Sequence, residues 1–513
     1  MADKVNNFDD ALRVIAKGAG IAFFGLTLNR FLAFLSRVIV ARFLTPNDYG
    51  ILNLVLAIFS VFVVISLIGI PDGIIRYISY YAARKEYDKV KGVIYSSIRI
   101  VIPISIILSI LVFYFSRDIS RIFHDEMLEY PLKIISFAIP FWVLARVFKA
   151  ASVGFKKIDY SILIDLLHQI IRFTIVVVVL LLGYRLIGVI FGYFLAFVFS
   201  PIIGYYFLQR IDYLDSCGIE FVDMELISYS WPLLLASFSS LILAWTDTLM
   251  IGYFRGDYYV GIYNAAYPIA QLLTIFGVSF SNIFMPVITE FYSADSLNNL
   301  KRTYVAVTKW IFGLTFPSFL FLVSFGDWII EILFGDKYIS GYYALSILAI
   351  GFFTNSVLIL NSGVIKSVEK TKFIMVNSYI IAVLNIILNA SLIPVYGVAG
   401  AAIATTVSMI TSALISLMYL YKLIKIVPIS RKCLYSVPAA VISIIIIYLP
   451  AKIALQYGIF TLIPNLMLYF VIYFFLLLIF KYFDSEDVII MKAIESKIGI
   501  DLEPLRKIII KFL

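Results

Sequence analysis

Residues 18–41 read GAGIAFFGLTLNRFLAFLSRVIVA, an apolar run long enough to cross a bilayer as one helix, interrupted by Arg30 and Arg37. A charge at the bilayer centre costs on the order of 3 kcal/mol on insertion scales, so an arginine kept there usually faces a water-filled cavity. At 3.6 residues per turn the two arginines sit about 20° apart around the axis. This stretch alone predicts a spanning helix with a cationic face, and hence a transporter with a polar interior.

The pattern continues along the chain. Comparable runs near 49–70, 94–116, 131–154, 160–182, 186–208, 229–252, 259–287, 304–334, 341–365, 373–394, 397–421, 434–456 and 459–480 bring the expected count to fourteen spans. Hydrophobic residues make up 62% of the chain and charged residues 14%, and the mean hydropathy is +1.00, which leaves no room for a soluble domain. The short alternating strands of a membrane barrel are absent from the pattern. The expected fold is an all-α polytopic membrane protein.

Residues 1–17 are polar and no A-x-A site follows the first apolar run, so no cleavable signal peptide is expected. Phe8, Leu12 and Ile15 recur at helical spacing, placing residues 1–17 along the membrane surface; the tail 481–513 has similar amphipathic character. With the N-terminus inside, most of the 41 Lys and Arg fall in or at the ends of cytoplasmic segments and few in external loops, while Arg30, Arg37, Arg99 and Arg172 lie within spans. Positive loops stay in the cytoplasm, so both termini of a cell-membrane protein are expected there. That bias also accounts for the net charge of +9, and nucleic acid need not be invoked. Cys217 and Cys433 fall on the reducing side at a spacing that forms no metal motif, and both read as free thiols.

An internal echo organises the spans. Phe43, Gly50, Ile51 and Asn53 recur as Phe254, Gly261, Ile262 and Asn264 at an offset of 211, and Tyr184 and Gly188 recur as Tyr396 and Gly400 at 212. The expectation is a first six-helix half at 18–208, a central cytoplasmic linker at 209–228, a second half at 229–421 and an extra helix pair at 434–480. Six crossings is an even number, so the halves should be related by an axis along the membrane normal, enclosing a cavity.

Three motifs carry a family likeness. The run Arg42-Phe43-Leu44-Thr45-Pro46-Asn47-Asp48-Tyr49-Gly50 is the first. The second is Trp245-Thr246-Asp247 followed by Gly261-Ile262-Tyr263, and the third is Asn385 to Pro394 with Tyr396-Gly397 and Gly400-Ala401-Ala402. Together they resemble the polysaccharide transporter branch of the multidrug/oligosaccharidyl-lipid/polysaccharide exporter superfamily. The resemblance implies a flippase that moves lipid-linked oligosaccharide from the inner to the outer leaflet.

That task gives the polar residues a meaning. The lipid tail of such a substrate can stay in the bilayer while its anionic headgroup crosses in a polar cavity, and arginine's planar fork suits phosphate oxygens. Arg30, Arg37, Arg172 and Asn361 are the candidate headgroup residues. Asp165, His168 and Arg172 fall at i, i+3 and i+7 on one face, so Asp165 with His168 is a candidate for ion coupling, with a structural ion pair as the competing account. Asp247 is either the counter-ion of Arg30 or a separate ion site. Asn377, Asn385 and Asn389 share a side of their helix, and interhelical hydrogen bonding is their expected role.

Two other functions fit the composition. A proton- or sodium-coupled exporter of cationic drugs shares the fold, but its cargo favours carboxylates where this chain has arginines. A membrane glycan polymerase or glycosyltransferase needs larger external loops than these. No catalytic pair, metal cluster or nucleotide-binding loop appears, so neither an enzyme nor a cofactor is expected, and transport is driven by an H+ or Na+ gradient or by the substrate's own.

Overall fold

The computed structural model describes residues 8–211, 218–428, 430–453, 459–484, 487, 491 and 503–512. Cys217, residues 1–7 of the amphipathic N-terminus and most of the tail lie outside the described residues. All regular structure among them is helical. Among the described residues, eight helices are long and apolar enough to cross a membrane alone, ten when two bent pairs each count once. The expectation of fourteen spans exceeds that number, in part because one 54-residue helix counts once although it is broken in the middle.

The chain packs as two units, Met1–Gly261 and Ile262–Leu513. The first holds α1 (Phe8–Phe43), α2 (Pro46–Leu67), α3 (Ile70–Ala83), α4 (Tyr87–Tyr114), α5 (Ser116–Ile122), α6 (Glu129–Ser136), α7 (Ile139–Gly154), α8 (Ile158–Leu181), α9 (Leu186–Gln209) and α10 (Asp223–Arg255). Helix α2 starts on a Thr45 cap, whose hydroxyl accepts from the Asp48 amide at 3.2 Å, with Pro46 preset in the first turn. It is apolar all round and buried on most of its length, as a central helix should be. The helical stretch Glu126–Ser136, which contains α6, meets α7 at a bend of 47°. α8 packs on α1, α7 and α9.

The repeat shows itself at the start of α2. A Cβ on Gly50 would strike the carbonyl oxygen of Asp257, and a Cβ on Gly261 would strike that of Pro46. At an offset of 211, Pro46 corresponds to Asp257 and Gly50 to Gly261, so the two contacts exchange with one another. Reciprocal contacts of this kind are what a local two-fold produces.

The division by packing differs from the division by repeat because α10 packs on α2, α3 and α4. The segment leading into it is stapled to their ends. The Glu220 amide donates to the Asp88 carbonyl at 3.2 Å and the Val222 amide to Ser96 Oγ at 3.0 Å; Lys89 meets Glu220 at 3.8 Å and Arg99 meets Asp223 at 3.5 Å. Arg99, expected within a span, is thus an exposed partner of this segment. Tyr81 donates to the Glu225 carboxylate, and burial with that carboxylate raises its pKa, keeping it a neutral donor.

The second unit holds α12 (Thr274–Ser293), α13 (Leu297–Ser324), α14 (Gly326–Phe334), α15 (Tyr342–Leu358), α16 (Leu360–Ser367), α17 (Thr371–Ile424), α18 (Cys433–Ile453), α19 (Ile459–Ile479) and α20 (Glu503–Phe512); α11 (Asp257–Gln271) crosses the boundary. α17 breaks at Gly397, whose φ of 57° and ψ of −130° favour glycine. Its two arms fold back on each other as the separate apolar runs 373–394 and 397–421 require. Asn377 Nδ2 donates to Ser412 Oγ at 3.1 Å and Ser416 Oγ at 3.3 Å, Asn385 Nδ2 to Thr405 Oγ1 at 3.2 Å, and Asn389 Nδ2 to Asn385 Oδ1 at 3.1 Å. Asn377 and Asn385 join the two arms, and Asn389 bonds to Asn385 along its own arm.

The extra pair is fastened to α13. Pro317 has no N–H for the carbonyl of Gly313, and Tyr473 of α19 donates to that carbonyl at 2.7 Å, while Tyr469 donates to the Pro317 carbonyl at 3.1 Å. Below them Lys309, buried, pairs with Asp484 at 2.8 Å and Asp487 at 2.7 Å. Cys433, at the start of α18, is a free and buried thiol.

Candidate functional site

The packing of α1 on α8 sets Arg37 and Arg172 on adjoining helices. Arg37 of α1 and Arg172 of α8 are close enough for their charges to interact, and Tyr49 of α2 and Tyr193 of α9 complete the cluster. Arg172 Nη2 donates to Gln169 Oε1 at 2.5 Å, and its guanidinium lies over the Tyr193 ring, 4.9 Å from the centroid. Its Nε and the Gln169 Nε2 are buried donors with no acceptor. No carboxylate pairs with Arg37 or Arg172 among the described residues. Two like charges held together in a low-dielectric setting repel, and an anion between them relieves the cost.

The other half of the α8 stripe has different partners. Asp165 pairs with Lys149 of α7, the two side chains being 24% and 25% exposed. His168 is buried between Trp142 and Phe197, whose rings lie 4.7 Å and 5.5 Å from its own. Its Nδ1 is 2.6 Å from Ser200 Oγ. Ser200 spends its own hydrogen on the Ala196 carbonyl at 2.9 Å, so His168 Nδ1 is the donor in the first bond. Asp165 and His168 are therefore not joined as the titratable pair that their spacing suggested.

Arg30 is exposed on α1, and no ion pair joins it to a carboxylate among the described residues. Asp247 is buried in α10. Asn361, expected to line the cavity, is fully buried at the start of α16 and accepts a hydrogen bond from Tyr304 within the apolar cluster of Leu360, Val364 and Ile365. Its side chain packs the core of the second unit. Of the candidates, Arg37 and Arg172 fall on adjoining helices, with no carboxylate paired to either among the described residues. Sequence reasoning missed Lys149, Gln169, Tyr49 and Tyr193. Gln169 was legible as the i−3 neighbour of Arg172, whereas Lys149 meets Asp165 only through the register of α7 against α8.

Comparison with known proteins supplies independent findings. Residues 15–292, more than half of the chain, match the family model described as polysaccharide biosynthesis protein, and residues 232–391 match the MatE model. MJ1068, an uncharacterized membrane protein of Methanocaldococcus jannaschii, is 25% identical over 432 residues, 81% of this chain and 85% of the relative. AglR of Haloferax volcanii, named a probable flippase, is 25% identical over 291 residues, 54% of this chain and 58% of its own length. In fold, the chain matches the lipid II flippase MurJ in its inward closed conformation, with a TM-score of 0.71 over 90% of this chain and 98% of that one, at 17% identity.

Proposed function

The chain belongs to the polysaccharide biosynthesis protein family, and from that premise we propose that it is a flippase for lipid-linked oligosaccharide, a transporter and not an enzyme. The observation that carries this is Arg172 of α8, whose buried Nε has no acceptor and which no carboxylate neutralises among the described residues, on a helix packed against the one that carries Arg37. An anionic phosphate or pyrophosphate between the two guanidinium groups offsets their repulsion and accepts from their forks, while the lipid tail stays in the bilayer. Gln169 and Tyr193 hold the Arg172 guanidinium in place from both sides. Arg30, on the same face of α1, extends the cationic path along the helix. In this account the halves 18–208 and 229–421 rock about the headgroup in the cell membrane, with both termini cytoplasmic, driven by H+, Na+ or the substrate gradient.

The MatE match across 232–391 favours a drug exporter as the second reading. The charge of the cluster argues against it, since a cationic drug is repelled by two arginines and Asp165 is already neutralised by Lys149. Glycan export measured in cells at matched membrane expression separates the two. Arg37→Ala and Arg172→Ala should each abolish export, and the lysine variants should restore it in part, because lysine keeps the charge and loses the fork. Export of fluorescent cations by the wild type, with glycan export untouched in both alanine variants, would overturn the proposal.

A further inference from the structure

The second unit carries a basic cavity that the transport path does not use. It opens beside the end of α19, has a volume of ≈ 720 Å³, and is walled by Ile479, Phe480 and Phe483 and rimmed by Lys432, Tyr435 and Lys481. Asp484, the acid in its lining, is committed to Lys309 at 2.8 Å and to Lys432 at 3.3 Å. Lys432 also donates to the Phe483 carbonyl at 3.0 Å. Lys481 is exposed, and no carboxylate pairs with it among the described residues.

α19 closes with the Lys481 amide on the Leu478 carbonyl and the Tyr482 amide on the Leu477 carbonyl, both at 3.1 Å, with Lys481 in the left-handed region at φ 53°. Glycine suits that position best, and a lysine there gains from the negative end of the helix, as Lys85, Lys156 and Lys425 do at the left-handed ends of their own helices. Next to it, α20 packs on α19 and reads EPLRKIIIKF, a short basic amphipathic helix of the kind that lies in a membrane interface. The loop charges assign this end of α19 to the cytoplasm, the face where anionic lipids gather.

We propose that this cavity holds the phosphate headgroup of an anionic phospholipid from the adjacent leaflet. Lys481 supplies a cation that no carboxylate pairs with among the described residues and Tyr435 a hydroxyl donor, and the walls of Ile479, Phe480 and Phe483 take the glycerol and the upper acyl chain. The bound lipid ties the terminal pair to the membrane interface independently of any cargo.

The test titrates the purified full-length protein in mild detergent with phosphatidylglycerol, phosphatidylcholine and sn-glycerol 3-phosphate, following Tm and bound lipid by native mass spectrometry. Phosphatidylglycerol should bind saturably and raise Tm, and the other two should not. Lys481→Gly keeps the left-handed turn, so its lipid-free Tm should match or exceed the wild type while its affinity for phosphatidylglycerol falls about fivefold, the weight of one lysine at an anionic surface. Lys425→Gly, at the left-handed end of α17 (φ 50°), is the control and should bind as the wild type does. Equal binding of both lipids, unchanged binding by Lys481→Gly, or an equal loss in Lys425→Gly would overturn the proposal. Saturation by glycerol phosphate alone would make this a small-anion site and overturn the lipid assignment.

Discussion

Helices α8 and α17 each carry a polar stripe through an apolar span, and the two stripes end differently. On α17 the amide nitrogens of Asn377, Asn385 and Asn389 donate to side chains of the same hairpin. On α8 the stripe splits, with Asp165 and His168 taking protein partners and Arg172 left beside Arg37 with a buried Nε that nothing accepts. Polar groups whose partners lie within the fold hold it together. Charges left unneutralised in the same setting have their partner elsewhere, and in the flippase proposed above that partner is the cargo.

The largest expected effect breaks the comparison at Arg172. Arg172→Gln retains a polar side chain of moderate size and removes the charge, so export should fall at least about tenfold, the loss of roughly one charge-assisted hydrogen bond. Because the residue has no carboxylate to strand, Tm should stay near the wild type. Unfolding of this variant, or export at the wild-type rate, would place Arg172 with the structural stripe.

Next in size is Lys149→Met, which leaves the Asp165 carboxylate partly buried beside an apolar chain. A fully buried stranded charge costs about 3–5 kcal/mol, and the roughly one-quarter exposure of this pair reduces that to about 2 kcal/mol. Adding Asp165→Leu should recover most of the lost stability in thermal unfolding. Failure of the double variant to recover would mean that the aspartate has a second role, and the ion-coupling account would regain ground.

Asn385→Leu should cost less, about 1 kcal/mol for two hydrogen bonds in a membrane hairpin, with export per folded molecule unchanged. An export defect without a stability defect would move the amide stripe into the transport path.

These contrasts also explain what the sequence could and could not tell. The apolar runs, the hairpin at Gly397 and the asparagine contacts were legible because each rests on local spacing or backbone geometry. The placing of Arg37 and Arg172 on adjoining helices was not, since both were visible as intramembrane charges but their relation depends on the packing of α1 against α8. Asn361 was ambiguous because a lone amide near a helix end looks alike whether it faces a cavity or, as here, accepts from a buried tyrosine while its Nδ2 is buried with no acceptor. The grouping of α10 with the first unit was hidden because it depends on Glu220, Asp223 and Glu225 finding Lys89, Arg99 and Tyr81 across the linker.

The smallest effect concerns His168, and it tests the α8 stripe at the point where spacing and structure part. A histidine three residues from an aspartate suggested a proton-coupling pair, yet His168 is enclosed by Trp142 and Phe197 and donates to Ser200, while Asp165 is held by Lys149. A group buried in this way and bonded through Nδ1 as a neutral donor is set apart from Asp165. His168→Gln, whose amide can keep the bond to Ser200, should cost about 1 kcal/mol in packing and leave the pH dependence of export where it is in the wild type. The measurement is the export rate across pH 5–8 at matched expression, the range in which an ordinary histidine titrates. A flattened profile would make His168 part of the coupling machinery, and α8 would then be functional along its whole polar face.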